Sequence, residues 1–430
     1  MIQETPPADI DDSGSRDRWF ILSLLFLNYF VLYAHRNLIN YIQKPLLDEL
    51  KLSELQLNTV AWAFQITYAL AQIFVSYLSD RFRRRIVLIL SLTMSSASLA
   101  CMGLAQGFYD LLALRVLLAA TQAASIPAIA GIMADCFTQR NRSRAVSIYL
   151  LSSPFSLIVA GWAGGAIADR VGWREAMFVF GGLGLIIVLV LIRWLREPLR
   201  TERRDSGLGS TGGSLGKTLV TVLSVPSFLL VALVFVLASN IVQQLDFFLP
   251  RHFFDHYQMK LEAAGRMATL APQIGTVIGV LIGGVLADRL AREWRSGRFQ
   301  VQIMGLTLAI PAVFTVAIVD SIPVILVAMF VHGIGFWLYL SNLWTTTFEV
   351  VDPAARSTAI GLLNVASGLL GSWPYLVVGK LRDDGVITDL RSVFLAFGFV
   401  LCVAVILLVV LVCKTLPRDY LDTSNTGTES

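Results

Sequence analysis

Apolar stretches of about twenty residues alternate with short polar connections along almost the whole chain. A helix crossing the hydrocarbon of a bilayer needs about 20 mostly apolar residues. Twelve stretches qualify, at 19–42, 56–79, 86–106, 109–135, 146–168, 174–195, 222–249, 264–287, 301–319, 322–348, 358–380 and 391–413. Between the sixth and seventh lies Arg200 to Lys217, which contains Gly-Ser-Thr-Gly-Gly-Ser and reads as a flexible linker. The expected organisation is a tail (1–18), a six-helix bundle (19–197), a linker (198–217), a second six-helix bundle (218–416) and a tail (417–430). The fold class is an all-α membrane protein of twelve transmembrane helices.

Composition agrees. Of 430 residues 56% are hydrophobic and only 15% charged, against about 25% charged in soluble domains. The deficit of charge leaves too little to cover a water-facing surface. A net charge of +4 is no nucleic-acid footprint, because the basic residues gather in short loops beside apolar runs. Loops after even-numbered stretches are the richer in Lys and Arg, which predicts that both termini are cytoplasmic. Residues 1–18 lack the basic start and apolar core of a signal peptide. The four cysteines have no disulfide or metal spacing.

The halves repeat one another. Ser76 to Arg85 follows the second stretch and carries Leu78, Asp80, Arg81 and Arg84; Gly284 to Arg292 follows the eighth and carries Leu286, Asp288 and Arg289. The aspartates are 208 residues apart, and Arg144 and Arg356, before the fifth and eleventh stretches, are 212 apart.

At these positions the chain resembles the major facilitator superfamily, whose loop signature Gly-x-Leu-Ala-Asp-Arg is met at Gly284 to Arg289. The resemblance implies two pseudo-symmetric bundles and a conformational latch formed by Asp80, Arg81, Arg84, Asp288, Arg289, Arg144 and Arg356. The alternative is that these charges only satisfy topology. A narrower resemblance covers nearly the whole chain. Arg36-Asn37-Leu38, Leu52-Ser53, Gln56, Ala63-Phe64, Tyr68-Ala69, Leu249-Pro250 and the Gly361 to Pro374 run look like the anion:cation symporter family of sugar-acid carriers. Spinster-type lipid transporters share several of these features.

Ionisable groups inside a membrane cost free energy and mark polar cavities. Tyr29, Tyr33, Arg36 and Asn40 share one face of the first helix, and Arg115 and Gln122 are two turns apart on the fourth. Arginine grips a carboxylate with two parallel hydrogen bonds. Arg36 and Arg115 are therefore expected to bind an anion, and by the resemblance they match the family's substrate-binding arginines. Tyr33, Gln122, Gln243, Gln244, Asn342 and Asn364 complete the expected binding set, with helix–helix hydrogen bonding as the alternative. The family's two proton-carrying acids are replaced by His35 and Gln122. Glutamine cannot titrate, so His35, with help from Asp246 or His332, is the proton-coupling candidate, and a hydrogen-bonded packing role is the alternative.

The function expected is secondary transport of a small organic anion, of sugar-acid type, by alternating access across the cell membrane, with protons as the candidate coupling ion. Three alternatives stay open: an uncoupled uniporter, a spinster-type lysolipid transporter and a transporter-like ligand sensor. No Walker loop, metal cluster or nucleophile–base arrangement appears, so neither enzymology nor ATP-driven pumping is indicated, and no cofactor or metal is expected. The family implies a monomer.

Overall fold

The computed structural model describes residues 12–79, 83–195 and 215–420. Eleven of its helices are long and apolar enough to cross a membrane. The first six-helix half comprises α1 (Asp17–Tyr41), α2 (Glu54–Ser79), α3 (Arg84–Met102), α4 (Phe108–Cys136), α5 (Arg144–Arg170) and α6 (Trp173–Trp194). The second comprises α7 (Pro226–Tyr257), α8 (Leu261–Glu293), α9 (Gly297–Ile318), α10 (Ile322–Val350), α11 (Pro353–Asp383) and α12 (Arg391–Asp419). Helix α2, a 26-residue helix diluted by Gln65, Tyr68 and Gln72, is the one outside the eleven and fills the place of the second expected stretch.

Most boundaries fall within a few residues of those expected; α7 departs most. It starts at Pro226, a favourable first helical position, after a separate short helix, Leu215–Leu223. Pro250 does not end it: two further turns run to Tyr257. Pro250 and the residues after it, Arg251, His252 and Phe253, are buried against neighbouring helices, and such packing tolerates a proline inside a membrane helix.

Large apolar side chains cover the outside. Leu189, Val285, Val327 and Phe399 are each more than 60% exposed, which suits lipid and would be an aggregation liability in water. Small residues let helices approach inside. Backbone meets backbone where Gly161, in a π-helical turn of α5, crosses Gly265 of α8: a Cβ on Gly161 would lie 2.8 Å from the Gly265 carbonyl oxygen.

The duplication is visible in bonded pairs. Arg84 of α3 pairs with Asp135 of α4, and Arg298 of α9 pairs with Glu349 of α10; both members are displaced by 214 positions. Arg142 donates to the Ala134 carbonyl at 2.9 Å and Arg356 to the Phe348 carbonyl at 3.1 Å, again 214 apart. This corrects the sequence pairing of Arg144 with Arg356. Arg144 is exposed and stacks instead over Trp19, 5.6 Å from the ring centroid.

By alternation, the starts of α1 and α7 and the ends of α6 and α12 lie at one end of the bundle, called here the linker end. At the opposite, far end the halves are joined by a reciprocal exchange of helix caps. Asp169 of α5 accepts from the backbone N–H of Leu261 (3.1 Å) and Glu262 (2.8 Å) at the start of α8. Asp383 of α11 accepts from Glu54 (2.9 Å) and Leu55 (3.1 Å) at the start of α2. The first N–H groups of a helix have no partner of their own, and a carboxylate there also meets the positive end of the dipole. Glu54 further bridges Arg251 and Arg382.

Candidate functional site

Between the halves lies a cavity of about 380 Å³. Its walls come from α1, α2, α4, α5, α7, α8, α10 and α11. The helical face read from the sequence faces it: Tyr29, Tyr33, Arg36 and Asn40 all line the cavity, as does Arg115.

The two arginines share an aromatic wall. Phe64 of α2 lies between them, its ring centroid 5.0 Å from the Arg36 guanidinium carbon and 4.5 Å from that of Arg115. Tyr68 adds a second face to Arg36 at 4.2 Å. Aromatic faces favour a cation without consuming its N–H groups. Arg115, only 4% exposed, donates from Nη2 to the Arg36 carbonyl at 2.8 Å. Its Nε and Nη1, and Nε of Arg36, have no hydrogen-bond partner. Donors of a charged group left buried and unsatisfied are costly, and both arginines line the cavity.

Helix α7 supplies Gln243 and Asp246, and α11 supplies Asn364. Gln65, Gln273 and His332 also reach the cavity. Asp246 is the sole carboxylate lining it among the described residues.

Three of the expected binding residues lie elsewhere. Gln244, the next residue round the helix from Gln243, points at α11 and its Nε2 approaches the Gly371 carbonyl at 3.5 Å. Asn342 bonds within the bend of α10, to the Leu338 carbonyl at 3.0 Å. Gln122 is turned inside the first half, donating to the Leu32 carbonyl and to Ser95 Oγ, both at 3.0 Å.

His35 belongs to the same interior network and does not line the cavity. Its Nε2 is 3.0 Å from the Phe180 carbonyl and its Nδ1 is 3.3 Å from Ser95 Oγ. A carbonyl only accepts, so Nε2 carries the hydrogen; Ser95 accepts from Gln122 and can donate to Nδ1. All members of this chain are then satisfied by a neutral imidazole. His35 and Gln122 are thus linked to each other, through one serine, in a neutral network.

Of the expected latch, Asp80 and Arg81 lie outside the described residues. Arg84 has the Asp135 partner noted above. Asp288 accepts from Arg298 at 3.2 Å, Arg289 is exposed, and Arg356 bonds the end of α10. Asp135, Arg298 and Glu349 were missed in the sequence; their signal was an acid recurring at equal spacing near the linker end of α4 and of α10.

Two related six-helix bundles around a cation-lined central cavity are the architecture of a multi-pass membrane transporter. The Major Facilitator Superfamily model matches residues 25–373, and the chain belongs to that family. An MFS-type efflux pump of Mycolicibacterium smegmatis (strain ATCC 700084 / mc(2)155) is 27% identical over 94% of this chain and 93% of that protein. A probable galactarate/D-glucarate transporter of Bacillus subtilis (strain 168) is 23% identical over 87% of this chain and 88% of that protein. Among solved structures, a bacterial homologue of the human lysosomal transporter Spinster, inward-facing and unoccupied, superposes with a TM-score of 0.78. It covers 95% of this chain and 99% of that one at 20% identity, which speaks to fold alone.

Proposed function

We propose that the chain is a secondary transporter of a small organic anion, a sugar-acid-like carboxylate, held by Arg36 and Arg115. The observation that carries this reading is the pair of cavity arginines with N–H groups to spare and no acid bonded to either. A planar carboxylate accepts two parallel hydrogen bonds from one guanidinium, and a second arginine adds its field from across the Phe64 ring. Gln243, Asn364, Gln65 and Gln273 offer both donors and acceptors to hydroxyl groups. A volume of about 380 Å³ is near the lower end of the range for small-molecule sites, about 300–1,000 Å³, and favours a sugar acid over a long-chain lipid. The sugar-acid name of the Bacillus relative points the same way.

Alternating access follows from the duplication. The far end is taken as the outside and the linker end as the cytoplasm, from the excess of Lys and Arg in linker-end loops. Rocking one bundle against the other would release Asp169 and Asp383 from the helices they cap and tighten the linker end. There Arg84–Asp135 and Arg298–Glu349–Asp288 are the latch elements.

The test is uptake of labelled sugar acids into vesicles holding the purified protein. Losing one partner of a buried charged hydrogen bond costs about 2–5 kcal/mol, so Arg36→Ala and Arg115→Ala are each expected to weaken affinity by at least about 30-fold. Unaltered uptake in both variants would remove the anion site.

A further inference from the structure

We propose that Asp246 is the proton-carrying group that couples transport to a pH gradient. The inference rests on the anion-carrier reading and adds to it the residue and the ion. Its starting point is an asymmetry between the halves. In the first half, the proton-coupling candidate His35 and its network neighbour Gln122 are both committed to neutral bonds through Ser95. In the second half, α7 brings one carboxylate to the cavity.

Among the described residues that carboxylate has no ion pair or hydrogen bond, and it is half-buried at the cavity wall. The titratable and charged groups around it can be named helix by helix. From α1 come Tyr29, Tyr33, Tyr41 and Arg36, from α4 Arg115, from α10 His332 and from α11 Tyr375. Among the described residues, helices α2, α5 and α8 present no titratable side chain to the cavity, and α12 does not line it. The Tyr375 hydroxyl donates to the Gln243 carbonyl at 3.2 Å.

Two states of Asp246 then differ in what they permit. With the cavity empty, Asp246 is its one carboxylate among the described residues, in a chamber that Arg36 and Arg115 also line. When a carboxylate solute takes those arginines, their charge is spent on it. Asp246 is left as a second anion in the same membrane-buried chamber, and that arrangement is expensive. A proton from water on one Asp246 oxygen removes the conflict, so proton and anion enter together. After the bundles rock, both leave to water on the other side. One proton and one monoanion move in each cycle, with no net charge transferred and no bond broken except O–H.

D-galactonate, a monoanion, is the probe, in vesicles holding the full chain. One pH unit is worth 1.36 kcal/mol, so an inward gradient of one unit should support about tenfold accumulation at the plateau. The plateau is a ratio set by coupling and is independent of rate. In Asp246→Asn the plateau should fall to equality inside and out, however slow the variant is. His35→Gln should keep the tenfold ratio. Counterflow of labelled D-galactonate at equal pH is run beside it. Counterflow without any response to the gradient would overturn the proton role and leave the carrier reading standing. Tenfold accumulation persisting in Asp246→Asn, or lost in His35→Gln alone, would also overturn it. Absence of counterflow with D-galactonate, a hexuronate and D-glucarate would overturn both readings.

Discussion

Removing the exchanged caps tests whether they hold the far end shut. Asp169→Ala frees the N–H groups of Leu261 and Glu262, and Asp383→Ala frees those of Glu54 and Leu55. An aspartate N-cap is worth about 0.5–2 kcal/mol, typically ~1. Both carboxylates are exposed, so the dipole contribution is toward its low end of about 0.3 kcal/mol and is already within that range. The loss is felt only while the far end is closed, because opening separates each aspartate from its helix in any case. The two sites share no partner and should add. Together they favour the open far end by about 2 kcal/mol, or about 30-fold in the ratio of open to closed. Spin labels at Tyr109→Cys and Val386→Cys, 80% and 69% exposed on opposite halves at that end, would report it as a longer distance gaining population. The labels need a background without Cys101, Cys136, Cys402 and Cys413. Asp48→Ala is the control, since Asp48 pairs with Lys44 within one short helix. A folded double variant whose distance distribution matches the parent would refute the argument.

Two further outcomes are expected. Gly265→Ala inserts a methyl where the Gly161 carbonyl already lies, and backbone cannot swing aside. With the same labels it should spread the far end more than either cap variant, whereas Gly182→Ala, with open space around it, should not. The Glu49 carboxyl is held below its ordinary value, first by the hydrogen bond from Trp173 Nε1 (2.6 Å) and then by Arg174 (2.9 Å). A lowered carboxyl pKa contributes stability that is full above the unfolded value and fades as pH falls through the folded one. Thermal melting from pH 7 down to about pH 3 should therefore decline less steeply in Glu49→Gln. Identical slopes would show that the contact contributes nothing.

The span count, the linker and the central arginines were legible because a bilayer enforces long apolar runs and penalises stray charge. Direction was harder to read. Gln243 and Gln244 are adjacent, yet only the first faces the cavity, since neighbours on a helix point about 100° apart and the burying face is set by tertiary packing. His35 adjoins Arg36 in the same way and turns into the first half while Arg36 turns out of it. Asp135 and Glu349 went unnoticed because each reads alone as an ordinary charge near a helix end. Only their bonds to Arg84 and Arg298, in matching places, mark them as a repeated device.

The crossed caps also bear on how the chain is built. The carboxylate that completes the start of α2 is 329 residues further along, on the eleventh of twelve helices. During synthesis the Glu54 and Leu55 amides at the head of α2 therefore wait for that carboxylate until almost all of the second bundle has entered the bilayer. The second bundle meets no such delay, because Asp169 is already in place when α8 arrives. Half-molecules expressed apart should differ accordingly: each lacks the cap its partner supplies, and mixing the two should restore both at once.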